Sequence, residues 1–186
     1  MAKNSEIADH LRQLDAVISR AEALLHQLDD EGVNWRPKSG AWSIAQCLDH
    51  LNITGQRYLS TMKTVVDQAA KSGPYSSSPG KRRFLARFFI WALEPPSRIK
   101  AKAPAAFAPG AELQLDALRQ AHTQTHSDLR SLIEAADGVS LDQVKVLSPV
   151  SDKISFRIGE AFAVILAHER RHLAQAEQVL AEMKTS

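Results

Sequence analysis

His168 and His172, in the run AHERRHLAQ, stand four residues apart and so project side by side from one face of a helix. Paired histidines at this spacing bind zinc in metal-binding helices. Two ligands alone make a weak site, and His50, in WSIAQCLDHL, is a third candidate able to point along a helical core toward the pair. Three neutral imidazoles leave a divalent ion with its full charge and with positions open to water or substrate, which is how catalytic metal sites differ from closed structural ones. A water bound there loses a proton more readily and a thiol is held as thiolate, so hydrolysis and thiol transfer are both open to such a site. Zinc and nickel both suit an imidazole-rich ligand set. The plainer alternative for any one histidine is a core residue that donates its N–H to a carbonyl. For a pair on one buried stripe that alternative is costlier, because more polar atoms need partners.

The remaining reactive residues are weaker candidates. His122 and His126 repeat the four-residue spacing without an obvious third ligand. Cys47 precedes His50 by three positions and could offer a thiolate, but it reads more simply as a small core residue. Asp49, Glu160 and Glu169 could orient ligands or act as a base, and exposed helix carboxylates are otherwise only solvated. Arg170 and Arg171, beside the ligands, either draw an anionic substrate or lie on the surface, while His10 and His26 belong to no motif.

Four long helices can carry these residues. Ile7, Leu11, Leu14, Ile18, Ala21, Leu25 and Leu28 recur at three- and four-residue steps and predict a helix over about 5–29. A polar stretch, 31–40, reads as turn. Ser43 followed by Gln46 is a capping-box pattern that starts a second helix, with a stripe through Leu48, Leu51, Gly55, Tyr58 and Met62 and a stop at Gly73-Pro74. A third helix runs from Glu112 to Gly138, with His122 and Thr125 as polar positions on its stripe; residues 139–154 read as a connection; a fourth helix starts near Ser155. No segment alternates strictly enough to compete as a strand. The expectation is an all-α four-helix bundle with a long crossover between helices two and three.

That crossover, 73–110, differs from the rest. It holds seven basic residues (Lys81, Arg82, Arg83, Arg87, Arg98, Lys100, Lys102) against Glu94 alone, and six of the eleven aromatics: Tyr75, Phe84, Phe88, Phe89, Trp91 and Phe107. FLARFFIWAL, 84–93, can form a short helix. The first reading of its aromatics is a satellite core against the bundle; a pocket lid and a membrane-surface or anionic-partner patch are the alternatives.

Composition sets the outer bounds. A chain of 186 residues fits one domain over 1–186, and its 44% hydrophobic and 24% charged residues are ordinary for a globular protein. A net charge of +2 gives no general electrostatic case for nucleic acid. A single cysteine, no apolar leader in MAKNSEIADH and no apolar run long enough to span a bilayer suggest a cytoplasmic protein with no membrane partner.

Taken together, WSIAQCLDHL and the later AHERRHLAQ resemble the DinB-like superfamily, a damage-inducible, stress-response group that includes YfiT-type hydrolase-like proteins and bacillithiol and mycothiol transferases. EPP and KAPAAFAPG in the crossover resemble one branch of it. The resemblance implies a four-helix bundle with one histidine from the second helix and two from the fourth, here His50, His168 and His172, holding a divalent metal. It implies a small-molecule substrate, such as a low-molecular-weight thiol, but no single reaction. The competing expectation is a non-catalytic bundle that binds metal or a small ligand. Apolar surface on the crossover suggests a homodimer.

Overall fold

The structure, a computed structural model, describes residues 4–96, 99 and 102–186; the basic residues Arg98 and Lys100 of the crossover lie outside the described residues. In chain order the elements are α1 (Ser5–Leu25), α2 (Asp30–Asn34), α3 (Ile44–Ser72), α4 (Phe84–Leu93), a 3-10 turn (Ala105–Phe107), α5 (Leu115–Ala135), β1 (Lys145–Ser148), β2 (Ser151–Arg157) and α6 (Ile158–Met183). Among the described residues no helix is long and apolar enough to cross a membrane.

Local chemistry sets most helix ends. The Asn4 side chain accepts the Glu6 N–H and starts α1. The Ser43–Gln46 capping box forms in both directions at 3.1 Å, and α3 stops at Gly73, whose φ of +77° favours glycine, ahead of Pro74. Helix α1 is shorter than its stripe suggested, because Asp29 caps the Gly32 N–H and opens the one-turn α2 within the expected loop.

Residues 139–154 are not a plain connection. Lys145–Ser148 and Ser151–Arg157 form an antiparallel hairpin, with Val146 opposite Phe156 and Leu147 opposite Ser155. The first strand is only four residues long, and only Val146 and Ser148 of it are buried, too short an alternation to read against a helix period. Because Ser155–Arg157 are spent in the sheet, α6 starts at Ile158 rather than Ser155. Glu160 closes its first turn by accepting the Arg157 N–H at 2.8 Å.

Helices α1, α3, α5 and α6 lie side by side, α3 and α1 each against both α5 and α6. One apolar cluster joins the start of α1 and α6 (Ile7, Leu14, Phe162) to the end of α3 and α5 (Met62, Val66, Ile133). A second joins the other ends (Leu25, Val179 with Leu48, Leu118). Helices α3 and α5 therefore run parallel to each other and opposite to α1 and α6, which obliges the chain from 73 to 114 to cross the length of the molecule. Fully buried residues such as Phe162, Leu48 and Ile165 each contribute about 1.5–3 kcal/mol. Between the clusters the facing stretches are polar: Asn52 and Thr54 on α3, His122, Thr125 and His126 on α5, and Glu169 and His172 on α6 are all buried. At this seam α3 and α5 approach closely, with Gly55 against Thr125.

The crossover aromatics do not form the expected satellite core. Phe107 is buried and Phe89 packs on Phe156, but Phe84 is 85% exposed, Tyr75 61% and Trp91 51%. Helix α4 is amphipathic: Ala86, Phe89 and Ile90 face the protein, while Phe84, Phe88 and Trp91, on successive turns, face outward.

Candidate metal centre

His50 sits in the second turn of α3, which the Ser43 box fixes in register, and His168 and His172 lie on consecutive turns of α6. Antiparallel packing of α3 and α6 brings the three rings together. Ring centroids are 5.0 Å apart for His50–His168 and 4.6 Å for each pair with His172, and one nitrogen from each lies within 4.8 Å of the others. His50 Nε2 and His168 Nε2 are 3.2 Å apart. Two nitrogens on one tetrahedral zinc, each at about 2.0–2.1 Å from it, are separated by about 3.3 Å.

The surroundings fix the rings for this use. His50 Nδ1 donates to the Phe107 carbonyl at 2.7 Å and His172 Nδ1 donates to Gln175 Oε1 at 3.1 Å, which leaves Nε2 of both rings as lone-pair donors. The Trp42 ring stacks on His172 at 5.7 Å and tilts against His50 at 5.0 Å, forming an apolar wall. All three imidazoles are held neutral. Burial lowers the pKa of His50, against the Phe107 carbonyl and the charges of Glu169 and Asp49. Burial, the other two imidazoles and Arg171 hold His168 well below the usual histidine range. Burial, His50 and Arg171 push His172 down to about 3. Neutral imidazole is the form that ligates a cation.

Described residues of the 73–110 segment are tied down beside this cluster, through residues adjacent to the ligands. Asp49 Oδ2 accepts the Gly110 N–H at 2.9 Å, and Gln46 donates to the Gly110 carbonyl at 3.2 Å. Arg171 donates to the carbonyls of Ala92 and Ile99 at 3.2 and 2.5 Å. Arg170 forks onto Glu94 through Nε and Nη2 and reaches Gln13 at 2.9 Å. Asp49 thus anchors this segment, and the Arg170–Arg171 pair splits into one guanidinium on a carboxylate and one on main-chain carbonyls.

The other candidates lie elsewhere. Cys47 is wholly buried in the second cluster, where burial pushes its thiol up to about 12. Glu160 accepts from Arg83 and the Arg157 backbone, away from the histidines. His122 and His126 are buried and stack at 3.8 Å, and the partner their spacing lacked is Glu169, whose Oε2 is 3.3 Å from His126 Nε2. His126 Nδ1 is bonded to the His122 carbonyl at 2.8 Å, which leaves Nε2 to face the Glu169 carboxylate. Although burial opposes it, Glu169 raises the His126 pKa, whereas burial and the His126 charge push His122 to about 3. His10 is buried against Phe162 and near Glu6, and His26 is exposed at the end of α1. The residues that spacing did not single out are Trp42, Gln175 and the Phe107 carbonyl. Trp42 was visible as the residue before the capping Ser43, but a main-chain carbonyl has no side-chain signature.

A family model described as the DinB superfamily matches residues 13–176. No curated protein and no solved structure matches the chain.

Proposed function

The chain belongs to the DinB superfamily, and from that premise we propose that it is a metal-dependent enzyme in which His50, His168 and His172 hold a divalent ion, zinc or nickel, that activates a small thiol for S-transfer or water for hydrolysis. The observation that carries the reading is the convergence of three neutral imidazoles, two of them with Nδ1 already committed to other acceptors. When bound, the ion supplies positive charge that favours the deprotonated form of a thiol or water near neutral pH. The chain's own residues do the rest: the Phe107 carbonyl and Gln175 orient the rings, and Trp42 keeps water from one side. In this reading residues 1–186 form one cytoplasmic domain, a four-helix bundle whose crossover roofs the centre. The outward Phe84, Phe88 and Trp91 face supports pairing of two copies, which light scattering after gel filtration reads directly.

Elemental analysis of protein purified without an affinity tag tests the metal, with about one zinc or nickel per chain expected and none in His172→Ala. A panel of thiols with a halogenated aromatic electrophile then tests transfer, and ester and amide panels test hydrolysis. Turnover that survives His172→Ala removes the metal from either reaction. Metal at full occupancy with both panels silent favours the non-catalytic binding role.

A further inference from the structure

The three histidines differ in what stands behind them. His172 leans on Gln175, one turn along its own helix, at 3.1 Å. His168 Nδ1 is buried with no hydrogen-bond partner among the described residues. His50 alone is steadied from a distant part of the chain, by the Phe107 carbonyl at 2.7 Å, 57 positions away. A carbonyl sets a ring only if it is itself held. The 3-10 turn that carries this one is three residues long, too short to be stable alone, and Phe107 is the one buried residue in 102–112.

What holds the turn is the flank of α3 that also carries His50. Gln46, Asp49, His50 and Arg57 fall on that flank by their helical spacing. Gln46 donates to the Gly110 carbonyl at 3.2 Å, Asp49 Oδ2 accepts the Gly110 N–H at 2.9 Å, and the Arg57 guanidinium lies 4.9 Å above the Phe107 ring. Gly110 is thus gripped at both of its main-chain groups, three residues beyond the carbonyl that His50 uses. The ligand and the group that orients it are fixed from the same stretch of helix.

We propose that Asp49, with Gln46 and Arg57, is a positioning residue of the metal centre, acting through residues 107–110 on the His50 ring, and that cation binding at His50 Nε2 and the holding of this segment strengthen each other. The inference rests on the metal reading above and adds the regulation of that site. With a cation on Nε2, the Nδ1–H of the ring becomes a charge-assisted donor, whose hydrogen bonds are roughly twice as strong as neutral ones. The coupling is reciprocal: the factor that the held segment adds to metal affinity is the factor that the metal adds to the holding of the segment. Loss of a partner that orients a ligand lowers metal affinity about 10–100-fold.

The test uses the full-length chain. Zinc affinity is read by competition with a chromophoric chelator, and hydrogen exchange over residues 104–112 is followed by mass spectrometry with and without zinc. Zinc is expected to slow exchange there about tenfold or more. Asp49→Ala should weaken zinc about 10–100-fold and remove most of that protection. Asp49→Asn keeps an oxygen for the Gly110 N–H but not the charge, and should bind zinc nearly as the parent does. If the two variants weaken zinc equally, the carboxylate acts by its charge and the inference falls. It falls also if Asp49→Ala lowers the urea midpoint of the metal-free protein while zinc affinity stays unchanged, the mark of a mere strut. A parent that binds zinc with no change in exchange over 104–112 overturns the inference and leaves the metal reading standing, whereas a parent that binds no zinc overturns both.

Discussion

Replacing Gly55 by alanine tests whether the seam between the two apolar clusters is as tight as the structure requires. A Cβ built at Gly55 meets Thr125 Cγ2 at 2.5 Å, about an ångström inside ordinary contact. The obstacle is a β-branched side chain with few rotamers in a helix, and its Oγ1 is held by Gln56 Nε2 at 3.0 Å, so it cannot swing aside freely. Overpacking of this kind costs about 1–3 kcal/mol, and so close a contact with a held side chain belongs in the upper part of that range, about 2–3 kcal/mol. Alanine is favoured over glycine in a helix interior by about 1 kcal/mol, which offsets part of that. The net expectation is a loss of about 1–2 kcal/mol, or a fall in Tm of about 2–8 °C for a chain of this size. Urea unfolding of Gly55→Ala, Thr125→Ser and the double variant closes the cycle. Serine keeps the hydroxyl and removes only the clashing methyl, so the double variant should recover most of the loss. If Gly55→Ala is as stable as the parent, or the two changes simply add, the close approach of α3 and α5 is wrong.

Three further outcomes follow from groups already described. In the presence of a chelator, stability should fall as pH drops from about 6.5 toward 3: the unfolded chain protonates its histidines near 6.5, while folded His122 and His172 stay neutral to about 3, giving about 1.4 kcal/mol per pH unit for each. The raised His126 works in the opposite sense, adding stability below 6.5 that is lost above its folded value, so a flat urea midpoint between pH 6.5 and 4.5 would show that burial of the other two is overstated. Cys47, with its thiol near 12, should resist a disulfide reagent at pH 8 in the native protein and react only on unfolding; fast native labelling contradicts its burial. Arg83→Met should cost about 1–3 kcal/mol in thermal or urea unfolding, because Glu160 is buried and would keep only its two backbone N–H donors; an unchanged midpoint would mean that solvent replaces the guanidinium.

What the sequence revealed was whatever is encoded within a turn or two of chain. The Ser43–Gln46 box and the His168–His172 pair are local, so both were legible. The place of His50 beside them depends on how α3 and α6 pack, and here the family resemblance pointed the same way as the stripe. The polar positions that weakened the third helix on paper, His122 and Thr125, prove to be core residues of a polar seam, with Gly55 admitting one and Glu169 standing across from the neighbouring His126. Strand β1 and α2 were missed for a common reason, since four or five residues carry too little periodicity to outvote their neighbours. The helical period of 84–93 showed that α4 has two faces, but not that the aromatic one, with Phe84 and Trp91, turns outward.

Beside the histidines the segment is held largely at its main chain: the carbonyls of Ala92, Ile99, Phe107 and Gly110 and the N–H of Gly110 are groups that Arg171, His50, Gln46 and Asp49 hold, with the Glu94 carboxylate on Arg170 the side-chain tie. Backbone groups are the same whatever the residue. Side chains of this stretch other than Glu94 and the packed Phe89 and Phe107 can therefore be rewritten to suit a different guest while the main-chain ties that seat it, and the histidine it steadies, stay put, a division of labour that makes this stretch the natural place to graft new selectivity.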